Sequence, residues 1–372
     1  MSETLKSGAR PLTAEQSQRI GILKVWLTIM VIFIHSYGEG ANFSDGNISF
    51  QIPAWLAVFK YAVSKVISTS AVPTFFFLSA FFLYSKPFSW RQNLKRKCRS
   101  LFAPYLILNT FWIIVFASAQ HIAFLSPFFS DSRNIISNWD VSDWLHAYLG
   151  SPSTLFPADS YPMLYPLWFM RDLITLNILA KVYSAFVSKL PRLSIAAFLL
   201  TWICTDQEPV FCLSIQAICF WGMGCWFAER KRSFDEFDKV NQTFLGVAYA
   251  ILIVVRCALR LYEGIFFIPL HHLCAFVGAV FWYAFATKLE GKLKEGLLFV
   301  SRYTFCVYLF HEYTLGVSRK IAVRLLPVTP LFQVALYCLL PFVIFALCVA
   351  WSVAFEKRLP KVYAVLSGGR HQ

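Results

Sequence analysis

From Leu331 to Phe355 the chain runs without one charged residue, and this is the last of about ten such apolar stretches. A hydrocarbon core about 30 Å thick needs roughly 20 residues of helix to cross it. The stretches fall at about 20–38, 61–84, 101–122, 166–187, 193–205, 210–228, 242–261, 267–288, 297–317 and 331–355. They predict an all-α, polytopic integral membrane protein of about ten transmembrane helices. Residues 1–19 and 357–372 read as polar tails flanking a membrane domain at 20–356, with a long connector at about 123–165.

Composition agrees with lipid-facing segments and not with one oversized core. Of 372 residues, 58% are hydrophobic and only 15% charged, against about 25% charged in a soluble domain. The opening "MSETLKSGARPLTAEQSQR" lacks the features of a cleavable signal, so the first apolar run is expected to stay as the first span. Most of the ten cysteines lie inside apolar runs without CxxC spacing, which reads as small buried hydrophobes.

A net charge of +14 raises the question of nucleic acid. Placement excludes that class, because the basic residues collect in short connectors: "SKPFSWRQNLKRKCR", "SKLPR", "ERKRSFDEFDK", "TKLEGKLKEG" and "EKRLPKVY". The alternate connectors "GEGANFSDGNISFQIP", "TDQEP" and "LYEG" are nearly free of Lys and Arg. This alternation is the positive-inside pattern and predicts both termini in the cytoplasm. One connector on the opposite side, "SRKIAVRLLP", breaks it. The connector at 123–165, also outside, is rich in Trp, Tyr, Pro, Asp and Ser. Its aromatics read either as interfacial anchors or as a platform on which a sugar face stacks. The sequons "NFS" and "NIS" matter only in a glycosylating compartment.

Against this background four polar groups stand out. In "KVWLTIMVIFIH", Lys24 and His35 are eleven residues apart, about three helical turns, and so share a face some 16 Å apart. In "KRKCRSLFAPYL", Arg96 and Arg99 are three apart at the entry to the third span, and guanidinium forks suit phosphate oxygens. "YPLWFMRDL" places Trp168, Arg171 and Asp172 at the start of the fourth span. "TFCVYLFHEYTL" puts His311 and Glu312 deep in the ninth, where ionisable groups are costly and face protein or water. His271 and His272 read as interfacial. The sequence offers no HExxH or Cys/His ligand set, so no metal is expected. "GMGCW" lacks the strand and third glycine of a dinucleotide loop.

Together these motifs resemble the acyltransferase-3 family of membrane O-acyltransferases, including its fucose-4-O-acetylase-like members. Lys24 and His35 match the family's first-span Arg, ten residues, then His. "VPTFFFLSAFFLY" resembles its FF-x-x-SG segment, "RKCRSLFAPYLILN" its R-x-x-R before Pro-Tyr, and "PLWFM" and "YLFH" its Trp-Phe-Leu and late-span His. Lys24 keeps the arginine's charge without its bidentate fork, and Ala80 stands where glycine is usual.

The resemblance implies transfer of an acyl group, commonly acetyl from cytosolic acetyl-CoA, to a glycan hydroxyl outside the cytoplasm. It points to a bacterial inner membrane. His35 would be general base or acyl carrier, and His311 and Glu312 would orient the acceptor or tune His35. Lys24, Arg96 and Arg99 would attract the coenzyme's phosphates, and Trp168 and Arg171 would meet the glycan. A proton-coupled transporter or flippase using His35, His311 and Glu312 is the rival reading. It predicts inverted repeats, which the sequence does not display. A non-catalytic scaffold leaves the buried ionisable groups unexplained.

Overall fold

A computed structural model describes residues 4–5, 12–38, 40–43, 46–49, 51–129, 135–153, 161–205, 213–261, 266–286 and 289–369. The chain is all-α apart from short strand pairs such as Gly40–Phe43 with Gly46–Ser49. Helix α1 is Ala14–His35, α2 Ala54–Tyr84 and α3 Trp90–Gln120, and α4 Val141–Leu149. Then follow α5 Trp168–Ile178, α6 Ala180–Lys189, α7 Pro191–Cys204 and α8 Ile215–Glu229. After them come α9 Gln242–Ala258, α10 Phe267–Phe285, α11 Gly291–Ser301, α12 Thr304–Leu325, α13 Pro330–Arg358 and α14 Pro360–Leu366.

Local chemistry accounts for several boundaries. Helix α1 starts at Ala14, before the expected residue 20, because Thr13 and Gln16 exchange side chain-to-backbone bonds of 3.0 and 3.1 Å, a capping box. Asp140 and Asp143 form the same device on α4, which Gly150 ends at φ 68°. Pro73 and Pro104 cannot donate and crowd the carbonyl four residues back. A 3₁₀ turn at Ser68–Ser70 and a π turn at Cys98–Phe102 lie at those carbonyls.

Among the described residues, α1, α2, α3, α10 and α13 are long and apolar enough to cross a membrane. The pair α6 and α7, bent by 118°, would make a sixth if it is one span. The structure thus differs from the ten-helix expectation in specific places. The predicted 166–187 helix is broken at Leu179. In the expected connector "SKLPR", Leu190 before Pro191 does sit outside helical geometry, at φ −131°, ψ 60°, as a residue preceding proline is pushed to do. Most of "SRKIAVRLLP", expected as a loop, belongs to α12.

By contacts the chain forms two compact units. One comprises Met1–Val31, Tyr61–Cys98 and Asp172–Thr304. Its core packs α2 against α8, where Phe76, Ala80 and Phe81 are buried, as are Cys219, Trp221 and Cys225. The "GMGCW" glycines explain how closely these elements approach. A Cβ on Gly224 would lie 2.4 Å from the Phe77 carbonyl, and one on Gly222 2.3 Å from the Phe198 ring. Their role is helix contact, as small residues serve elsewhere in membranes. Arg19 is buried, pairs bidentately with Asp238 at 2.6 and 2.8 Å and lies 4.1 Å over Tyr283. His272, expected at the interface, is instead 1% exposed and stacked 3.8 Å from Trp202.

The second unit comprises Ile32–Lys60, Arg99–Arg171 and Phe305–Gln372. Ala41 and Phe43 of the hairpin pack with Val323 of α12 and, at the edge, Phe128, Phe332 and Leu336. Ile113, Ile136 and Ala147 form another cluster joining α3 and α4. The C-terminal segment does more than trail: Tyr363 of α14 is buried and its hydroxyl accepts from the Cys306 thiol at 3.4 Å.

Candidate active site

Polar side chains of the second unit gather where α1 ends. His35 is the last residue of α1 and is half-buried, so its imidazole keeps a route to the surroundings. His311, on α12, is fully buried. The two rings lie 5.1 Å apart between centroids, tilted by 59°.

Backbone carbonyls fix the state of His311. Its Nδ1 lies 2.8 Å from the Tyr308 carbonyl and 3.2 Å from that of Val307. Carbonyls only accept, so Nδ1 carries the hydrogen, and in the neutral ring Nε2 keeps the lone pair. That Nε2 is buried and has no hydrogen-bond partner. A buried acceptor without a donor is costly, and beside a second imidazole it is a ready place for a proton.

An aromatic ladder extends from His35. Tyr165 meets its ring edge-on at 5.6 Å, Tyr161 lies 4.3 Å from Tyr165, and Trp168 lies 6.2 Å from Tyr161. The turn carrying Tyr165 is held from two sides. The Leu164 amide donates to Asn109 Oδ1 at 3.2 Å, and the Tyr308 hydroxyl donates to the Pro166 carbonyl. Tyr313 likewise donates to the Met163 carbonyl at 2.5 Å. Arg171 donates to the Leu149 carbonyl at 2.9 Å, tying α5 to α4.

The other residues singled out from sequence fall as follows. Glu312 follows His311 but points about 100° around the helix. Its Oε2 is buried without a hydrogen-bond partner. Lys24 is half-buried on α1. Arg96 and Arg99 are both exposed and lie on either side of the change from α- to π-geometry at Cys98, where three-residue spacing no longer sets a shared face. Arg96 donates to Asn93 at 3.1 Å, and Asn93 donates to Asn177 at 3.0 Å.

Sequence reading passed over two features. Asn109, Tyr165 and Tyr308 shape the surroundings of His35 although each reads as an ordinary apolar-helix or loop residue. In the first unit, Arg192, Arg230 and Arg232 surround Trp226 in a pocket of about 290 Å³. Trp226 is held there by its bond to the Pro191 carbonyl at 2.8 Å.

This arrangement, a half-open imidazole backed by a buried one and flanked by aromatic rings, fits transfer chemistry on a hydroxyl. The sequence profile of the acyltransferase-3 family, described as Acyltransferase domain, matches residues 18–355. The chain belongs to this family and is an O-acyltransferase. A curated relative is the Succinoglycan biosynthesis protein ExoH of Rhizobium meliloti (strain 1021). It is 25% identical over 376 residues, which cover 96% of this chain and 94% of that protein. No solved structure matches the chain. Neither match supports the transporter reading.

Proposed function

We propose that this protein moves an acyl group, acetyl in the simplest case, from a cytosolic coenzyme A thioester to a hydroxyl of an extracytoplasmic polysaccharide or lipid-linked glycan. The observation that carries the reading is the half-exposed His35 ring 5.1 Å from the buried His311 ring. The relative's place in succinoglycan biosynthesis supports a polysaccharide acceptor. Both termini face the cytoplasm of a bacterial inner membrane in this reading, and His35 lies in the outer half.

His35 takes the proton of the acceptor hydroxyl as that oxygen attacks the thioester carbonyl. The C–O bond forms, the C–S bond breaks, and the departing thiolate recovers the proton from the imidazolium. General-base help of this kind is worth about 10²–10⁴-fold. His311, whose ring centre lies 5.1 Å from that of His35, offers its Nε2 lone pair to the His35 imidazolium as it forms and so favours the cationic form. Tyr161, Tyr165 and Trp168 offer the faces on which a sugar stacks, with Arg171 beside them. Lys24, Arg96 and Arg99 draw in the donor's phosphates; the arginine pocket around Trp226 is a second place suited to them.

The test supplies labelled acetyl-CoA and candidate glycans to membranes holding wild type or His35→Ala. Transfer by wild type and none by an equally abundant variant supports the reading. Equal transfer by the variant removes His35 from the chemistry.

A further inference from the structure

The basic run that breaks the charge alternation includes Arg319, Lys320 and Arg324. Two of these have structural employment: Lys320 donates to the Phe128 carbonyl at 2.8 Å, and Arg324 lies 5.4 Å over the Phe43 ring. Arg319 is different. Its guanidinium lines a small pocket with Ser36, Gly38, Lys60, Gln333 and Tyr337. Its contact there is one long bond, Nη1 to the Gly38 carbonyl at 3.5 Å. Its Nε is buried with no partner, and no carboxylate among the described residues pairs with it.

A guanidinium brings five N–H donors and a full charge. Arg319 is half-buried, and its buried Nε–H without an acceptor is unfavourable until an anion completes the site. Lys60, 5% exposed, directs a second cation to the same Gly38 carbonyl at 3.2 Å, between Tyr37 and Tyr337 at 5.7 and 5.6 Å. The pocket encloses about 30 Å³, room for two or three water-sized groups and too little for a sugar ring. A carboxylate matches both the volume and the planar fork of arginine. The position is informative as well. Ser36 and Gly38 follow directly on His35, and Arg319 stands eight residues, about 12 Å, along α12 from His311.

We propose that this pocket binds a carboxylate borne by one of the two substrates, gripped bidentately by Arg319 with Lys60 as the second charge. The carboxylate comes either from the far end of a dicarboxylic acyl group on the donor or from an acidic sugar of the acceptor. Its role in substrate choice rests on the transfer reading above, whereas its binding of an anion does not.

Full-length protein in lipid nanodiscs is titrated calorimetrically with succinate, glucuronate, and the neutral succinamide and glucose. Wild type binds at least one carboxylate and neither neutral compound; the tighter of succinate and glucuronate names the source. Arg319→Gln weakens that binding at least tenfold. If Arg319→Gln does not fold, Lys60→Met carries the test with a loss of at least fivefold. The proposal is overturned if neither carboxylate binds, if the neutral compounds bind as well, or if the folded variant binds like wild type. Retained transfer by His35→Ala would sink the transfer reading and leave these titrations untouched.

Discussion

The Nε2 of His311, buried and without a hydrogen-bond donor, belongs to a ring 5.1 Å from that of His35. In the proposed mechanism the two act as a unit, so their contributions to transfer will not add. His311→Ala should lower kcat about 10²-fold, and His35→Ala with His311→Ala should be no slower than His35→Ala alone. Independent losses that multiply in the double variant would show that His311 serves only packing.

The proposed donor site has two groups of arginines to be told apart. Arg96→Ala with Arg99→Ala should raise the KM for acetyl-CoA about tenfold and leave the acceptor KM unchanged, as loss of charge-assisted phosphate contacts does. The same kinetics are run on Arg230→Ala with Arg232→Ala, next to Trp226. A rise in donor KM from the second pair alone would move the phosphates to that pocket.

Tyr308 donates to the Pro166 carbonyl beside Tyr165, whose ring meets His35 at 5.6 Å. Tyr308→Phe removes one hydrogen bond, worth about 1 kcal/mol. The expected readout is a several-fold higher acceptor KM with an unchanged donor KM. A stability loss with unaltered kinetics would make the bond purely structural.

At Gly224 an added Cβ meets backbone, not a movable side-chain tip, at 2.4 Å. Gly224→Ala should therefore destabilise by about 1–3 kcal/mol, the usual cost of overpacking, read as a lower midpoint in detergent denaturation. Gly316, whose added Cβ meets nothing within 4 Å, is the control: Gly316→Ala should be neutral or slightly stabilising.

Arg19 is buried while Asp238 is partly open, at 5% and 37% side-chain exposure. Removing one partner of a fully buried pair costs about 3–5 kcal/mol, and solvent screening on the aspartate side reduces that. Asp238→Asn should cost about 1–3 kcal/mol, and Arg19→Met less, because it also removes the charge to be buried. Equal losses in the two variants would contradict this account.

Much of the first helix could be read directly: an apolar run with Lys24 and His35 at its polar positions is one continuous helix, Ala14–His35. The thioester chemistry assigned to His35 came from resemblance, and family membership rests on a match over residues 18–355. Hydropathy alone predicts one helix over 166–187 because it averages over Leu179, where backbone geometry breaks it. "SRKIAVRLLP" reads as a loop after the span at 297–317, yet it continues α12, where Arg319 and Lys320 reach carbonyls and Arg324 lies over a ring.

Apolar period and charge placement by themselves determined that this chain is helical and rich in membrane-length segments, since lipid leaves the backbone little alternative. They also marked which polar groups were too costly to be incidental. Only the tertiary structure decided that His35 meets His311 and that Arg319 lines a small pocket with Lys60. Such pairings depend on how helices distant in sequence pack, through glycines, prolines and buried carbonyls that no local pattern encodes.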